Sequence, residues 1–423
     1  MSSRINMLAR TSVLIGLLSL GASAAEHSEH YIIHLTNRLT NTDINSVAAR
    51  HGMTVVKSLT GSGTGVHVLA GPKNQTNSQI LEDLHDLVAD PAIQAAQNDS
   101  PVLLPGIHAA AQIHPTSAPR PALPLDGTSV RYFQSLAAKA YVNQPAASLI
   151  KVADAHALST GQGTVAVLDT GIDSLQPVLA GSLTSGWDFV HNAPGGREVA
   201  DINQETTPIL DQETTPILDQ ETTPILDGGS AIILTQETTP ILDQETTPIL
   251  DTKYPAYGHG TMVAGLIHLV APTAVLMPVR VFAADGTASV SQIVNGIYWA
   301  VDHGAKVINM SFSTKEPSTF LEKAIAYASS KGVICVAAAG NDGRAEVVYP
   351  AADDTVIDVA STNAFDIRSS FSNYGKEITL AAPGEAVVTT YPGNHYAEVW
   401  GTSFSAPLVA GGRPFEKTQS GHL

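Results

Sequence analysis

The sequence predicts an α/β protein, a doubly wound and mostly parallel sheet preceded by a small α+β unit. Three observations support this. From about residue 151, short apolar runs rich in β-branched residues ("TVAVLD", "AVLMPVRVF", "AKVINMSF", "VICVAAAGN", "TVIDVAST") alternate with helical stretches such as "SVSQIVNGIYWAVDHG" and "STFLEKAIAYASSKG". That alternation is the pattern of parallel strands covered by helices on both faces. Ahead of it, residues 30–104 read β-α-β-β-α, the order of a two-layer α+β unit. The chain has 423 residues and 43% hydrophobic content, enough to bury a large core.

Taken in order, residues 1–25 carry Arg4 and Arg10, then the apolar run "SVLIGLLSLGA", then Ala22-Ser23-Ala24. A basic start, a short apolar stretch and small residues for cleavage predict a secretory signal peptide. The run is well short of the ~20 residues that span a bilayer. In the small unit, "YIIHL", "MTVVKSL" and "GVHVLAG" predict strands. "NTDINSVAARHG" predicts a helix stopped by Gly52. "SQILEDLHDLVAD" places Ile80, Leu81, Leu84, Leu87 and Val88 on one helical face. Residues 105–150, rich in Ala, Pro and Gln and without periodicity, predict an exposed linker. The large domain is expected over 151–423.

One segment interrupts that domain. "QETTPILD" occurs five times between 204 and 251, with the spacer "GGSAIILT" keeping the octad register after the third copy. A period of eight suits neither a helix face nor the longer repeat families. A Pro in each copy breaks strand pairing, so a tandem insert in a surface loop is expected; a small stacked β-solenoid is the other reading. Long surface insertions cost little, because closure entropy grows slowly with loop length.

Composition narrows the partners. A net charge of −17 argues against nucleic acid or an anionic membrane. The five repeats carry ten acidic residues and so supply most of that excess. A single cysteine permits no intrachain disulfide, and Cys335, inside an apolar run, reads as core. Export without disulfides fits a bacterial secretion route. Trp187 and Trp299 also read as core, and "HSEH" at 27–30 reads as a solvated pair of histidines.

Four stretches place reactive side chains at strand or helix ends. "TVAVLDTGID" ends a buried strand on Asp169, where a poorly solvated carboxylate can hold an imidazole in one tautomer. "GHGTMVAGLIHLV" sets His259 between glycines at a helix start. "VICVAAAGND" ends a strand on Asn341, whose amide can donate to a developing oxyanion. "GTSFSAPLVAGG" sets Ser403 at a helix N-terminus, where backbone N–H groups are free and the dipole favours negative charge. Pro407 is read as tolerated because it falls near the first turn. Each piece alone has a bland reading as a turn former or cap; four together, in this order, point to nucleophilic catalysis.

"VLDTGID", "GHGTMVAG", "GTSFSAPLVAG" and "AAAGND" resemble the motifs of the subtilisin-like serine peptidases, the subtilases, over roughly 150–411 outside the repeats. Residues 26–104 also resemble the family's propeptide, a domain that templates folding and then inhibits its own enzyme. The resemblance implies a subtilisin-like fold and a secreted endopeptidase acting on protein or peptide substrates, with its own propeptide as intramolecular inhibitor. It implies Ser403 as nucleophile, His259 as general base and acid, Asp169 as its orienting group, and Asn341 with the Ser403 N–H as the oxyanion cradle. "INMSFS" resembles the substrate-pairing edge, which puts Ser311 and Phe312 at the S1 region; Gly340, in "AAAGND", is also expected beside the substrate, and "ADGTASVS" resembles the opposite edge.

Family members often carry a glycine where Ser313 stands and another near Ala288, so a narrower groove is expected. "GLIHLVAP" is too short for the calcium loop of subtilisin, so no equivalent of that site is expected; no cofactor is expected otherwise, with calcium elsewhere left open and no site identifiable. Asp169 and His259 lie 90 positions apart, and removing the 48-residue block leaves 42, near the family's usual separation. The polar ending "RPFEKTQSGHL" replaces elements that follow the serine helix in the family, so a destabilised, weakly active form is expected. The competing function is a non-catalytic secreted binding protein that uses the same fold or its acidic repeats.

Overall fold

The computed structural model describes residues 29–36, 44–59, 65–104, 128–198, 233–236, 254 and 256–412. The segment expected to be a signal peptide, residues 105–127, most of the repeat block and the last eleven residues lie outside these. Among the described residues no helix is long and apolar enough to cross a membrane.

The small unit contains β1 (His30–Leu35), α1 (Ile44–Arg50), β2 (Thr54–Ser58), β3 (Val66–Ala70), α2 (Asn77–Ala89), β4 (Ile93–Asn98) and β5 (Pro101–Leu103). Its sheet runs β2-β3-β1-β4 and is antiparallel throughout. Gly52 has φ +66°, as the chain's reversal after α1 requires. A capping box of Thr76 and Gln79 starts α2. Ile80 and Leu87 face the sheet as expected, but Leu81 is exposed, because the apolar stripe is narrower than the sequence suggested.

The large domain begins earlier than expected, which corrects the linker assigned to 105–150. Residues 128–150 hold the hairpin β6 (Ser129–Tyr132) and β7 (Ser135–Ala138), then α3 (Lys139–Val142) and α4 (Pro145–Leu149). The reason is two anchoring tyrosines: Tyr132 donates its hydroxyl to Leu269 O, and the fully buried Tyr141 donates to Gly265 O at 2.7 Å. Small alanines between them let this segment lie close on the domain, and that composition hid its periodicity.

After α5 (Val152–Leu158) come β8 (Thr164–Asp169), β9 (Trp187–Asp188), β10 (Ala193–Pro194), β11 (Ile233–Gln236), α6 (His259–Val270), β12 (Val275–Arg280), β13 (Thr287–Ser289), α7 (Val290–Asp302), β14 (Val307–Met310), α8 (Thr319–Ser330), β15 (Ile334–Ala338), β16 (Val356–Thr362), β17 (Leu380–Pro383), β18 (Val387–Tyr391), β19 (His395–Val399) and α9 (Thr402–Gly412). The main sheet runs β10-β9-β12-β8-β14-β15-β16-β17, parallel except at the β10 edge. Alternation along β8 divides the core: Val165 and Val167 face α6 and α9, and Ala166 and Leu168 face α7 and α8. The winding reverses at β8, between β12 and β14, so the crevice for a ligand falls at the carboxyl ends of β8, β14 and β15.

The spacer inside the repeats has a structural role. Its last residues begin β11, which pairs in parallel with β19 through Ile233–Tyr396 and Leu234–Ala397. Aligned with "QETTPILD", "GGSAIILT" carries Ile232 where every repeat has proline and Thr235 where every repeat has aspartate. Proline has no N–H to give a ladder, and in this octad none stands directly before the strand. Cys335 is buried, and burial pushes its thiol up to about 12, as for an inert core residue. Trp187 and Trp299 are partly buried and pack with Phe189 against the core.

Candidate active site

Asp169 is the last residue of β8 and fully buried. Its Oδ1 accepts the N–H of Thr170 at 2.8 Å and lies 2.8 Å from Nδ1 of His259. An Nδ1–H donated to a buried carboxylate leaves Nε2 as the basic face of the imidazole. Burial alone would push the His259 pKa down. The charge and hydrogen bond of Asp169, with a further push from Glu198, reverse this, and the net direction is up.

His259 opens α6, and the glycines around it are required. Gly258 has φ +90°, and a side chain there would strike the Tyr391 ring. A Cβ on Gly260 would collide with Gly171 O, directly after the strand that carries Asp169. The close approach of α6 to the end of β8 therefore depends on Gly260. Gly260→Ala is expected to lose about 3 kcal/mol or more, since backbone here has no room to yield; urea unfolding followed by circular dichroism checks it.

Ser403 stands in the first turn of α9, where intrahelical partners for N–H groups are lacking. Its Oγ donates to Ser311 O at 3.1 Å, so the hydroxyl is parked on the neighbouring strand end rather than on the imidazole. The ring of Phe404, the next residue, lies 5.5 Å from the His259 ring between centroids. Pro407 is not in the first turn, as expected from sequence, but inside the helix. The N–H that proline lacks would have served Ser403 O, four residues back. Ser311 supplies the donor instead, through Oγ at 2.7 Å, and Asn309 Nδ2 donates to that same Oγ at 2.9 Å. The proline thus frees a carbonyl through which β14 holds the serine in place.

Asn341 lies just beyond β15. Thr402 donates to its Oδ1 twice, through the backbone N–H at 2.9 Å and the hydroxyl at 2.8 Å. Those contacts fix the amide orientation, and they leave Nδ2 buried with no hydrogen-bond partner. A buried orphan donor is costly, about 1–3 kcal/mol, unless it awaits an acceptor.

The other expected contact residues serve the framework. Gly340 has φ +92°, and a Cβ would come within 2.6 Å of Asn373 Nδ2. Its N–H goes to Thr402 Oγ1 and its carbonyl accepts from Asn373 N, so both backbone groups are already engaged. Ser311 is fully buried and braces Ser403 from both sides. Phe312 is fully buried too, its ring 5.2 Å from Phe282, in the cluster that also takes Val102, Leu104, Ala288 and Val290. Its ring therefore packs in the part of the core that continues to β13.

The sequence reading missed Glu198. This carboxylate is fully buried behind His259, where Oε1 accepts from Thr170 Oγ1 at 2.6 Å and Gly258 N at 3.0 Å. Oε2 accepts from Thr261 N and Thr261 Oγ1, both at 3.1 Å. Its donors come from segments 28 and 60 or more positions away, and "GGREVAD" carries no motif. Among the described residues no group of three or more His, Cys, Asp or Glu is arranged to hold a metal ion.

The model of the subtilase family matches residues 161–413, a span that contains all four reactive side chains. The chain belongs to the subtilase family. Thermitase of Thermoactinomyces vulgaris is 33% identical over 273 residues, covering 62% of this chain and 77% of thermitase. Subtilisin BL of Lederbergia lenta is 41% identical over 172 residues, 38% of this chain, and the chain spans 64% of that subtilase's length. Among solved structures, fervidolysin of Fervidobacterium pennivorans is similar in fold, with a TM-score of 0.61 at 20% identity, over 93% of this chain and 55% of fervidolysin. The α/β subtilase fold expected from the sequence is the fold observed.

Proposed function

We propose that this subtilase is a secreted serine endopeptidase, made as a precursor that its own N-terminal unit restrains. The observation that carries the hydrolase reading is the buried Asp169–His259 hydrogen bond beside Ser403, within one crevice at the strand ends. In this reading Ser403 Oγ turns from Ser311 O to His259 Nε2 when a peptide enters. Such bonds often tighten only with substrate bound. Ser403 Oγ then forms a bond to the peptide carbonyl carbon as its proton passes to Nε2. The carbonyl oxygen becomes an oxyanion held by Asn341 Nδ2 and the Ser403 N–H. Collapse breaks the C–N bond, and His259 returns the proton to the leaving amine. A water, deprotonated by the same nitrogen, releases the acyl group and restores Ser403.

The precursor reading rests on β5. It pairs antiparallel with β13, with Ala288 opposite Val102, and Leu104 N donates to Gly286 O at 3.0 Å. An extended segment on that edge occupies backbone groups that a substrate strand would use. Asp99 caps α7 from the small unit, accepting Ser291 N at 2.8 Å and Ser291 Oγ at 2.7 Å, and Ser318 Oγ donates to Gln97 at 2.9 Å. Secretion rests on the basic-apolar-small order of residues 4–24.

The test is hydrolysis of an unfolded protein substrate by the purified full chain. Activity that is absent from Ser403→Ala supports the enzyme; a well-folded chain that cleaves nothing, even after its N-terminal unit is removed by an added protease, overturns it. For the precursor, Asp99→Ala is expected to shorten the lag before activity about 5-fold or more, because a charged bond to a helix start is lost. An unchanged lag in the progress curve contradicts the restraint.

A further inference from the structure

We propose that Glu198 is a positioning residue of this active site, which clamps the first turn of the His259 helix and sets a second negative charge behind the imidazole. The inference rests on the peptidase reading for its use, but its physical basis is independent of turnover.

Helix N-termini leave backbone N–H groups without intrahelical partners. In α6 these are collected from outside. Glu198 accepts from Gly258 N and Thr261 N, the residues one before and two after His259. The intervening Gly260 N donates to Thr170 Oγ1 at 3.0 Å, and that same hydroxyl donates to Glu198 Oε1. Thr170 N in turn donates to Asp169. One carboxylate therefore ties the backbone on both sides of His259 to the residue that follows Asp169, so the ring and its carboxylate partner move as one body. Thr261 Oγ1 extends the clamp, donating to Glu198 while accepting Asp173 N at 2.9 Å.

The charge around Glu198 is unusual. Asp169 at the end of β8 is a second carboxylate nearby, Arg280 at the end of β12 is a buried cation that acts on Glu198, and Tyr391 at the end of β18 and His259 on α6 also feel its charge. Burial, then Asp169, raise the Glu198 carboxyl to about 7, against the bonds from Thr170 and Gly258 and the charge of Arg280. Ionised Glu198 favours the imidazolium, so it makes His259 a stronger base. The sign follows: below about pH 7 the neutral form withdraws that support, and above it the support is present.

The test is the titration of His259 by NMR in the full-length protein, wild type against Glu198→Gln, both also carrying Ser403→Ala to prevent self-cleavage. Glutamine keeps an acceptor for Thr170 and Gly258 but not the charge. The His259 pKa is expected to fall by roughly half a unit or more in the variant. In the variants with Ser403 intact, the acid limb of kcat/KM against pH should move in the same direction, and kcat should fall about 10-fold with KM nearly unchanged. If Glu198→Gln fails to fold, Thr170→Val carries the test: it removes the hydroxyl joining Glu198 to Gly260, and the same titration should shift. A purely structural cap would lower stability and leave the His259 titration in place. That result overturns the proposal, and so does wild-type behaviour in both readouts. An inactive wild type with the expected NMR shift would instead sink the peptidase reading and leave the clamp intact.

Discussion

His259→Ala is expected to cut kcat about 10⁶-fold, a size carried over from subtilisin itself, while KM for a peptide substrate changes little. The reason lies in what the imidazole alone can do. Ser403 Oγ is a weak nucleophile until a base takes its proton, and His259 is the base that Asp169 holds in place. Asp169 sits behind the ring, with Oδ1 accepting from Thr170 N and facing His259 Nδ1, so it acts through the imidazole. Substrate binding is a separate matter, since the β13 edge that holds an extended strand is untouched by the change. The loss should therefore sit in kcat. Steady-state kinetics with a chromogenic peptide check it, and a rise in KM with kcat preserved would place His259 outside the reacting centre.

Asn341→Leu is expected to cut kcat about 10²- to 10³-fold, again at nearly constant KM, the size known for subtilisin's oxyanion asparagine. Two features of this chain make that expectation specific. Thr402 fixes the amide through both its N–H and its hydroxyl, so Nδ2 is pre-aimed and pays no reorganisation in the transition state. Nδ2 is also buried without an acceptor in the resting protein, so its best interaction is made only when negative charge develops. Leucine additionally removes the acceptor for Thr402, so a modest fall in stability accompanies the change. Thermal unfolding separates that cost from the kinetic one: a full loss of activity with an equal loss of folded protein would contradict the oxyanion role.

The reactive residues were legible because each lies inside a stretch whose small or glycine neighbours are themselves needed for the approach. Gly258 and Gly260 make room for His259, and Gly340 makes the turn before Asn341. The alternating core of β8 and the helix periodicity gave the architecture for the same reason: both are local. What was hidden depends on distant pairings. Glu198 finds its donors at residues 170, 258 and 261, and no spacing rule connects these. The segment 128–150 is held by Tyr132 and Tyr141 reaching carbonyls on α6, which an alanine-rich sequence does not announce. Pro407 was recognised as unusual, but its consequence needed the Ser311 hydroxyl, 92 positions from Ser403. The strand in the spacer finds its partner in β19, more than 160 positions along the chain, and no local pattern announces that pairing.

The most direct test of the central claim, that Asp169, His259 and Ser403 act as one unit, is covalent labelling with a small fluorophosphonate, the modified residue then located by mass spectrometry. One label per chain is expected on Ser403, none in Ser403→Ala, and labelling slowed by about 10³-fold or more in His259→Ala. Well-folded protein that takes no label after its N-terminal unit has been removed, or that labels equally fast without His259, would contradict it.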